Sequence, residues 1–295
     1  MTIYLIAIDR LPALSLGCYG CWQHATPNLD AQATRSLACD NFIVWAESVH
    51  LAAGSEVHQF EITAEHAAEF SGDSDDSWVE EVAEAGLDPV ELLNEFLLNP
   101  AGLDAWDPAS PLALRLSLHE YLVEGIDRAF GELRDELQDQ LRPGDVVVVY
   151  GRTGELSVDR SLSSGEQRLV HPETQHLPLM IELVGTQESH GRLHEPLGVG
   201  DLQDLLNSMS EDSNALAQWK QRVGERQQLI LKQDGICMIR TTEWLCVVGD
   251  DEEFEPQLFH LPEDPWGLLN VAPQYPHIVL ELCVCLAADD GPASL

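Results

Sequence analysis

Residues 3–10 read IYLIAIDR, an unbroken apolar run from Ile3 to Ile8 closed by Asp9 and Arg10. A short, β-branched run with no polar residue alternating in is the pattern of a strand buried on both faces, as in parallel sheets. A second run of the same texture, Val146–Tyr150 (VVVVY), is followed by Gly151, Arg152 and Thr153. Ligands of open α/β sheets bind beyond the carboxyl ends of the strands. Arg10 and Arg152 are therefore expected to face one crevice.

Around these runs the chain alternates strand and helix patterns. Leu116–Leu141 places Leu118, Leu122, Ile126, Phe130, Leu133 and Leu137 on one side with charges opposite, and Pro143-Gly144 turns it into the second strand. A further strand-like run occupies Leu179–Val184. Helix, short turn and buried strand in repetition predict an α/β fold: an α/β/α sandwich with a mostly parallel central sheet. After about Gly200 the texture changes to a charged helix near Ser213–Arg226 and β-like runs at Leu229–Leu231, Ile236–Ile239 and Trp244–Val248. The organisation expected is an α/β domain over 1–205 and a small C-terminal antiparallel subdomain over 206–295, with antiparallel strands from Leu229 to Phe259.

Charge sets limits on partners. The chain of 295 residues has 51 acids against 15 Lys and Arg, a formal charge of −36. Such a field repels nucleic acid and anionic membranes, whose binding depends on Lys and Arg. No Lys or Arg occurs between Arg35 and Arg115. Within this interval lies an acidic helical segment, 54–110. Ser77 with Glu80 reads as a capping box and Asp88-Pro89 as a second helix start, with Val90, Leu93, Phe96 and Leu97 as an apolar stripe. Ser77–Leu98 is expected to be helical and docked on the domain, and Gly54–Ser77 less ordered. The acidic stretch is either a solvated face or a docking surface for a basic partner.

Specific motifs now bear on function. Gly17–Gly20 (GCYG), Thr26–Asp30 (TPNLD) and Asp40–Asn41 follow the first strand in order. Tyr121, Asp127 and Gly131 recur on the long helix, and the end of the chain reads LFHLPEDPWGLLNVA over Leu258–Ala272. Together these resemble the sulfatase family of the alkaline-phosphatase-like superfamily over nearly the whole chain, in a shortened form. The resemblance implies the fold already read. It also implies a formylglycine nucleophile from a C/S-x-P-S-R motif and a calcium or magnesium ion held by two N-terminal acids and a D-H or D-N pair.

The residues that would carry this chemistry are absent. The nucleophile position reads Glu47-Ser48-Val49-His50-Leu51, with no Pro-Ser-Arg after it. Of the implied ligands Asp9 alone remains; Arg10 stands for the second acid and Arg152-Thr153 for the D-H pair. One carboxylate cannot offset the dehydration of a hard divalent cation, and arginine, always protonated, repels it. The expectation is no cofactor and no catalytic residue, with Asp9 a relict ligand position and Arg10, Arg152, Thr153 and His171 as candidate anion-binding groups. The alternative is that both arginines are solvated loop residues.

The remaining chemistry-bearing residues give no competing signature. Cys18 and Cys21 have C-x-x-C spacing and Cys283 and Cys285 could complete a zinc site, although Cys18 also belongs to the GCYG turn. His190, His194, His171 and His176 read as exposed loop residues. No apolar run reaches the roughly 20 residues of a membrane span, and with no basic leader ahead of the first strand a cytoplasmic location is expected. Three functions stay open. The first is a sulfatase-like protein that has lost metal-dependent sulfate-ester hydrolysis and serves as a binding or regulatory pseudoenzyme, for a small anion or a protein. The second is an active sulfatase- or phosphatase-type ester hydrolase with a rearranged site of Asp9, Ser48, His50 and Thr153. The third is an interaction protein using its acidic helical segment.

Overall fold

The structure is a computed structural model describing residues 1–45, 57–68, 112–154, 171–187, 189–209, 212, 214–233, 235–250 and 254–288. Ser48, His50 and the helices expected over Ser77–Leu98 lie outside the described residues. Numbered in chain order, strands β1 (Ile3–Ile8), β2 (Leu37–Ile43), β3 (Val57–Ile62), β4 (Val146–Gly151), β5 (His176–Leu177), β6 (Leu179–Leu183) and β7 (Gly191–Gly198) form a 7-stranded sheet. Its order is β3-β1-β4-β6-β2-β5, with β7 also pairing β2. β3, β1 and β4 run parallel, as do β2 and β7, whereas β6 runs against β4 and β2 and β5 runs against β2. The sheet is thus mostly parallel, with the strand at Leu179–Leu183 reversed inside it.

Alternation along β1 and β4 distributes their side chains to two cores. Tyr4, Ile6, Ile8, Val147 and Val149 face helices α1 (Pro27–Thr34) and α3 (Leu112–Gln138), packing on Leu29, Leu122, Ile126 and Phe130. Ile3, Leu5, Ala7, Val146, Val148 and Tyr150 face the other way, onto α5 (Val199–Met209) and α6 (Ala215–Val223) through Leu202, Leu205, Leu216 and Trp219. Every residue of both strands is buried, which is why neither shows polar alternation in the sequence. Each such Ile or Val side chain contributes on the order of 1.5–3 kcal/mol by leaving water.

Two short helices, α2 (Ala64–Ala68) and α4 (Pro172–Gln175), precede α3 and β5. Beyond α6, strands β8 (Gln228–Gln233), β9 (Ile236–Thr241), β10 (Trp244–Gly249) and β11 (Gln257–His260) make a 4-stranded antiparallel sheet in the order β11-β10-β9-β8. One face, with Met238, Leu245 and Val247, packs on Ile43 and Trp45 of the large domain. The other, with Cys237, Ile239, Cys246 and Leu258, is covered by Val279 and Leu282 of α7 (Pro276–Ala288). Arg240 of β9, 4% exposed, donates from Nη2 to the side-chain oxygen Oδ1 of Asn41 on β2 and ties the two sheets together.

The structure departs from the sequence reading in four places. Gly54–Ser77 is not uniformly less ordered: it contains β3 and α2, because VHQFEI gains a parallel partner in β1 that its polar composition does not advertise. His194 is not a loop residue; it lies in β7, where Gly191 and Pro196 are tolerated because, among the described residues, β7 pairs only with β2. His171 and His176 are not exposed, at 5% and 7% accessibility. Helix α6, read with the C-terminal part, packs on the large sheet, and the small sheet proper begins at Gln228. No helix among the described residues is long and apolar enough to cross a membrane.

Candidate functional site

Three neighbouring strands each deliver one charged side chain to the carboxyl end of the sheet. Register pairs Ile8 of β1 with Gly151 of β4 and Ala7 of β1 with Glu61 of β3. Asp9 and Arg152 are therefore the first residues past adjacent strand ends, and the Arg152 amide donates to the Ile8 carbonyl at 2.7 Å. The Arg152 guanidinium grips Asp9 by two parallel bonds, Nε to Oδ1 and Nη2 to Oδ2, both 2.6 Å. Its Nη1 donates to Glu61 Oε1 at 2.8 Å. Both carboxylates push the Arg152 pKa above its ordinary value, the bond to Asp9 being the largest cause.

Gly151 makes this approach possible. A Cβ there would lie 2.6 Å from the Leu177 Cβ and 2.8 Å from Pro178 Cδ, so β4 must end in glycine for β5 and β6 to pass. On the other side of Asp9, Arg10 has φ +57, the left-handed region that a side chain adopts at a cost of about 1–2 kcal/mol. Thr153 holds this turn: its Oγ1 accepts the Arg10 amide and its carbonyl accepts the Leu11 amide, both at 3.0 Å.

Of the sequence candidates, the structure brings Asp9, Arg10, Arg152 and Thr153 together, Asp9 and Arg152 in direct contact. Thr153 Oγ1 acts as a backbone acceptor here, which does not favour it as a nucleophile. His171 is buried just ahead of α4, where its carbonyl accepts the Thr174 amide and hydroxyl. Glu61 was not legible, since nothing in VHQFEI marks it as the neighbour of Asp9.

Most of the recognised motif builds the fold and not the site. Thr26 Oγ1 accepts the Gly17 amide and Asp30 Oδ1 the Cys18 amide, closing the GCYG turn. Asp127, 1% exposed on α3, accepts the amides of Asn28 and Leu29 and caps the start of α1 from another helix. Gly131 leaves room for Asn28, which a Cβ would approach to 2.7 Å. Asp40 binds Arg192 and His194 of β7, and Arg192 also donates to the Cys18 carbonyl at 2.9 Å and lies over the Tyr19 ring. Cys18 and Arg192, with Asp30 and Thr34 of α1 and Ala38 of β2, border a shallow cavity of about 490 Å³.

The residues present do not fit a hard divalent cation. Asp9 and Glu61 converge, but the space between them holds a guanidinium, and no group of three or more His, Cys, Asp or Glu suited to a metal occurs among the described residues. Among the described residues, Cys18, Cys21 and Cys283 belong to no such group.

No family model matches the sequence, and no curated protein matches it. The fold, however, is that of known hydrolases. A 2-O GAG sulfatase, BT1596, superposes with TM-score 0.61 at 12% identity, over 97% of this chain and 91% of that one. The phosphonate monoester hydrolase of Agrobacterium radiobacter superposes with TM-score 0.59 at 11% identity, over 97% and 95%. BT4656, solved with its substrate D-glucosamine-2-N,6-O-disulfate, gives 0.58 at 11%, over 97% and 96%. The chain has the fold of these proteins, as its motifs imply.

Proposed function

We propose that this chain is a sulfatase-like protein that does not carry out metal-dependent sulfate-ester hydrolysis and works as a binding or regulatory protein. The observation that carries this reading is the Arg152 guanidinium bonded to both Asp9 and Glu61 at the carboxyl end of the sheet. A calcium or magnesium ion there would need several anionic oxygens and would have to displace a cation already held bidentately. The formal charge of the trio is negative, two carboxylates against one guanidinium. That disfavours a sulfate or phosphate at Arg152 itself.

Elemental analysis of the purified protein, combined with aryl sulfate and aryl phosphate turnover with and without added calcium, magnesium or manganese, tests the reading. The expected result is no stoichiometric metal and no turnover. One tightly held divalent ion per chain, or hydrolysis abolished by Asp9→Ala, would overturn it.

A further inference from the structure

Behind the strand end that carries Asp9 lies a group of polar side chains that the site does not use. His119 on α3 is 2% exposed, and its Nε2 lies 3.0 Å from Oγ of Ser15, itself 1% exposed in the 3-10 turn Ala13–Ser15. The His24 ring meets the His119 ring edge-on, with centroids 5.5 Å apart and an interplanar angle of 65°. Nδ1 of each ring is buried without a hydrogen-bond partner among the described residues. Three chain segments therefore meet through two imidazoles: the turn after β1, the loop leading into α1, and the long helix.

Charges around the pair oppose a proton on His119. Among the described residues, the charge of Arg10 at the end of β1 opposes a proton there, as does His24, whose ring touches it from the loop. The neighbouring carboxylate, Glu124, acts on His24 and accepts the Ala25 amide at 3.4 Å. An imidazolium at position 119 would sit in the core against a second imidazole and in the field of the Arg10 guanidinium, with one hydroxyl as its partner. Buried polar groups in that condition are strongly destabilising.

We propose that His24 and His119 form an acid-sensitive latch, which holds the Ala13–Ser15 turn and the loop Gly20–Thr26 against α3 while both rings are neutral and releases them on protonation. Burial first, then His24 and Arg10, hold the His119 pKa down to about 3. Burial also holds His24 below its ordinary value, with Glu124 opposing. A histidine whose folded pKa lies below its unfolded value of about 6.5 contributes stability that is complete above pH 6.5 and lost as pH falls below it. The contact is therefore firm at neutral pH and weakens toward pH 5.

The test compares urea unfolding of the full chain and of His119→Phe between pH 7 and pH 5. Carboxylate titration is common to both proteins, so their difference isolates the imidazole. Wild type should lose roughly 25-fold more in its folded-to-unfolded ratio than the variant over this range, from one proton excluded by the fold. A second measurement does not depend on the variant folding. In wild type, the His119 C–H resonance should show no titration midpoint above pH 5, and amide signals of Cys21–Thr26 should shift on acidification before the native state as a whole is lost. An ordinary His119 midpoint near 6.5, or equal pH slopes for the two proteins, would overturn the proposal.

Discussion

Removing the Arg152 guanidinium would leave Asp9 and Glu61 as unshielded carboxylates on adjacent strands. The pair with Asp9 is partly exposed, at 36% for the arginine and 20% for the aspartate, so solvent screens much of its attraction. Arg152→Ala should therefore cost only about 1 kcal/mol in urea unfolding. The more telling outcome concerns ions. In the variant, millimolar calcium should raise the melting temperature, because two converging carboxylates regain a cation between them, whereas wild type should not respond. A calcium response of wild type equal to that of the variant would show that Arg152 does not close the site.

At the level of elements, the retained motif acts through helix starts. Asp127 accepts two amides at the first turn of α1 from within the core, together with the Asn28 side chain at 2.9 Å. Asp127→Ala leaves those donors buried and unpaired and should cost about 2–3 kcal/mol in chemical unfolding, more than an exposed cap. A loss below 0.5 kcal/mol, on the order of an ordinary surface change, would mean that water replaces the carboxylate. What could be read from the sequence follows the same physics. β1, β4 and α3 were legible because continuous apolar runs and a 3.6-residue stripe are consequences of burial itself. β3 and β7 were not, since a half-exposed VHQFEI and a GRLHEPLG containing glycine and proline draw their order from neighbours. The residues of the site divide in the same way. Asp9 and Arg152 follow legible strands and could be placed together; Glu61 and the His24 and His119 contact depend on pairings that no local pattern encodes.

Across the whole molecule, charge is the dominant long-range influence. At −36 the folded chain repels itself more strongly than the expanded one, and salt screens this repulsion over a Debye length that shrinks from about 30 Å at 0.01 M to about 10 Å at 0.1 M. Raising potassium chloride across that range should increase the melting temperature, despite weakening surface ion pairs such as Arg222 with Asp204. A fall in melting temperature would imply that attractive pairs outweigh the net field.

The strand that supports Asp9 also has a history within each molecule's lifetime. β1 lies between β3 and β4, and Asp9 meets Arg152 across 143 positions of sequence. During synthesis at about 5–20 residues per second, β1 waits on the order of ten seconds for its second neighbour to leave the ribosome. Throughout that interval Ile3–Ile8 offers an open hydrogen-bonding edge with apolar side chains on both faces, the form of strand most ready to pair with a wrong partner. The same contacts that seal the site in the finished protein thus leave β1 in need of protection from wrong partners while the chain is being made.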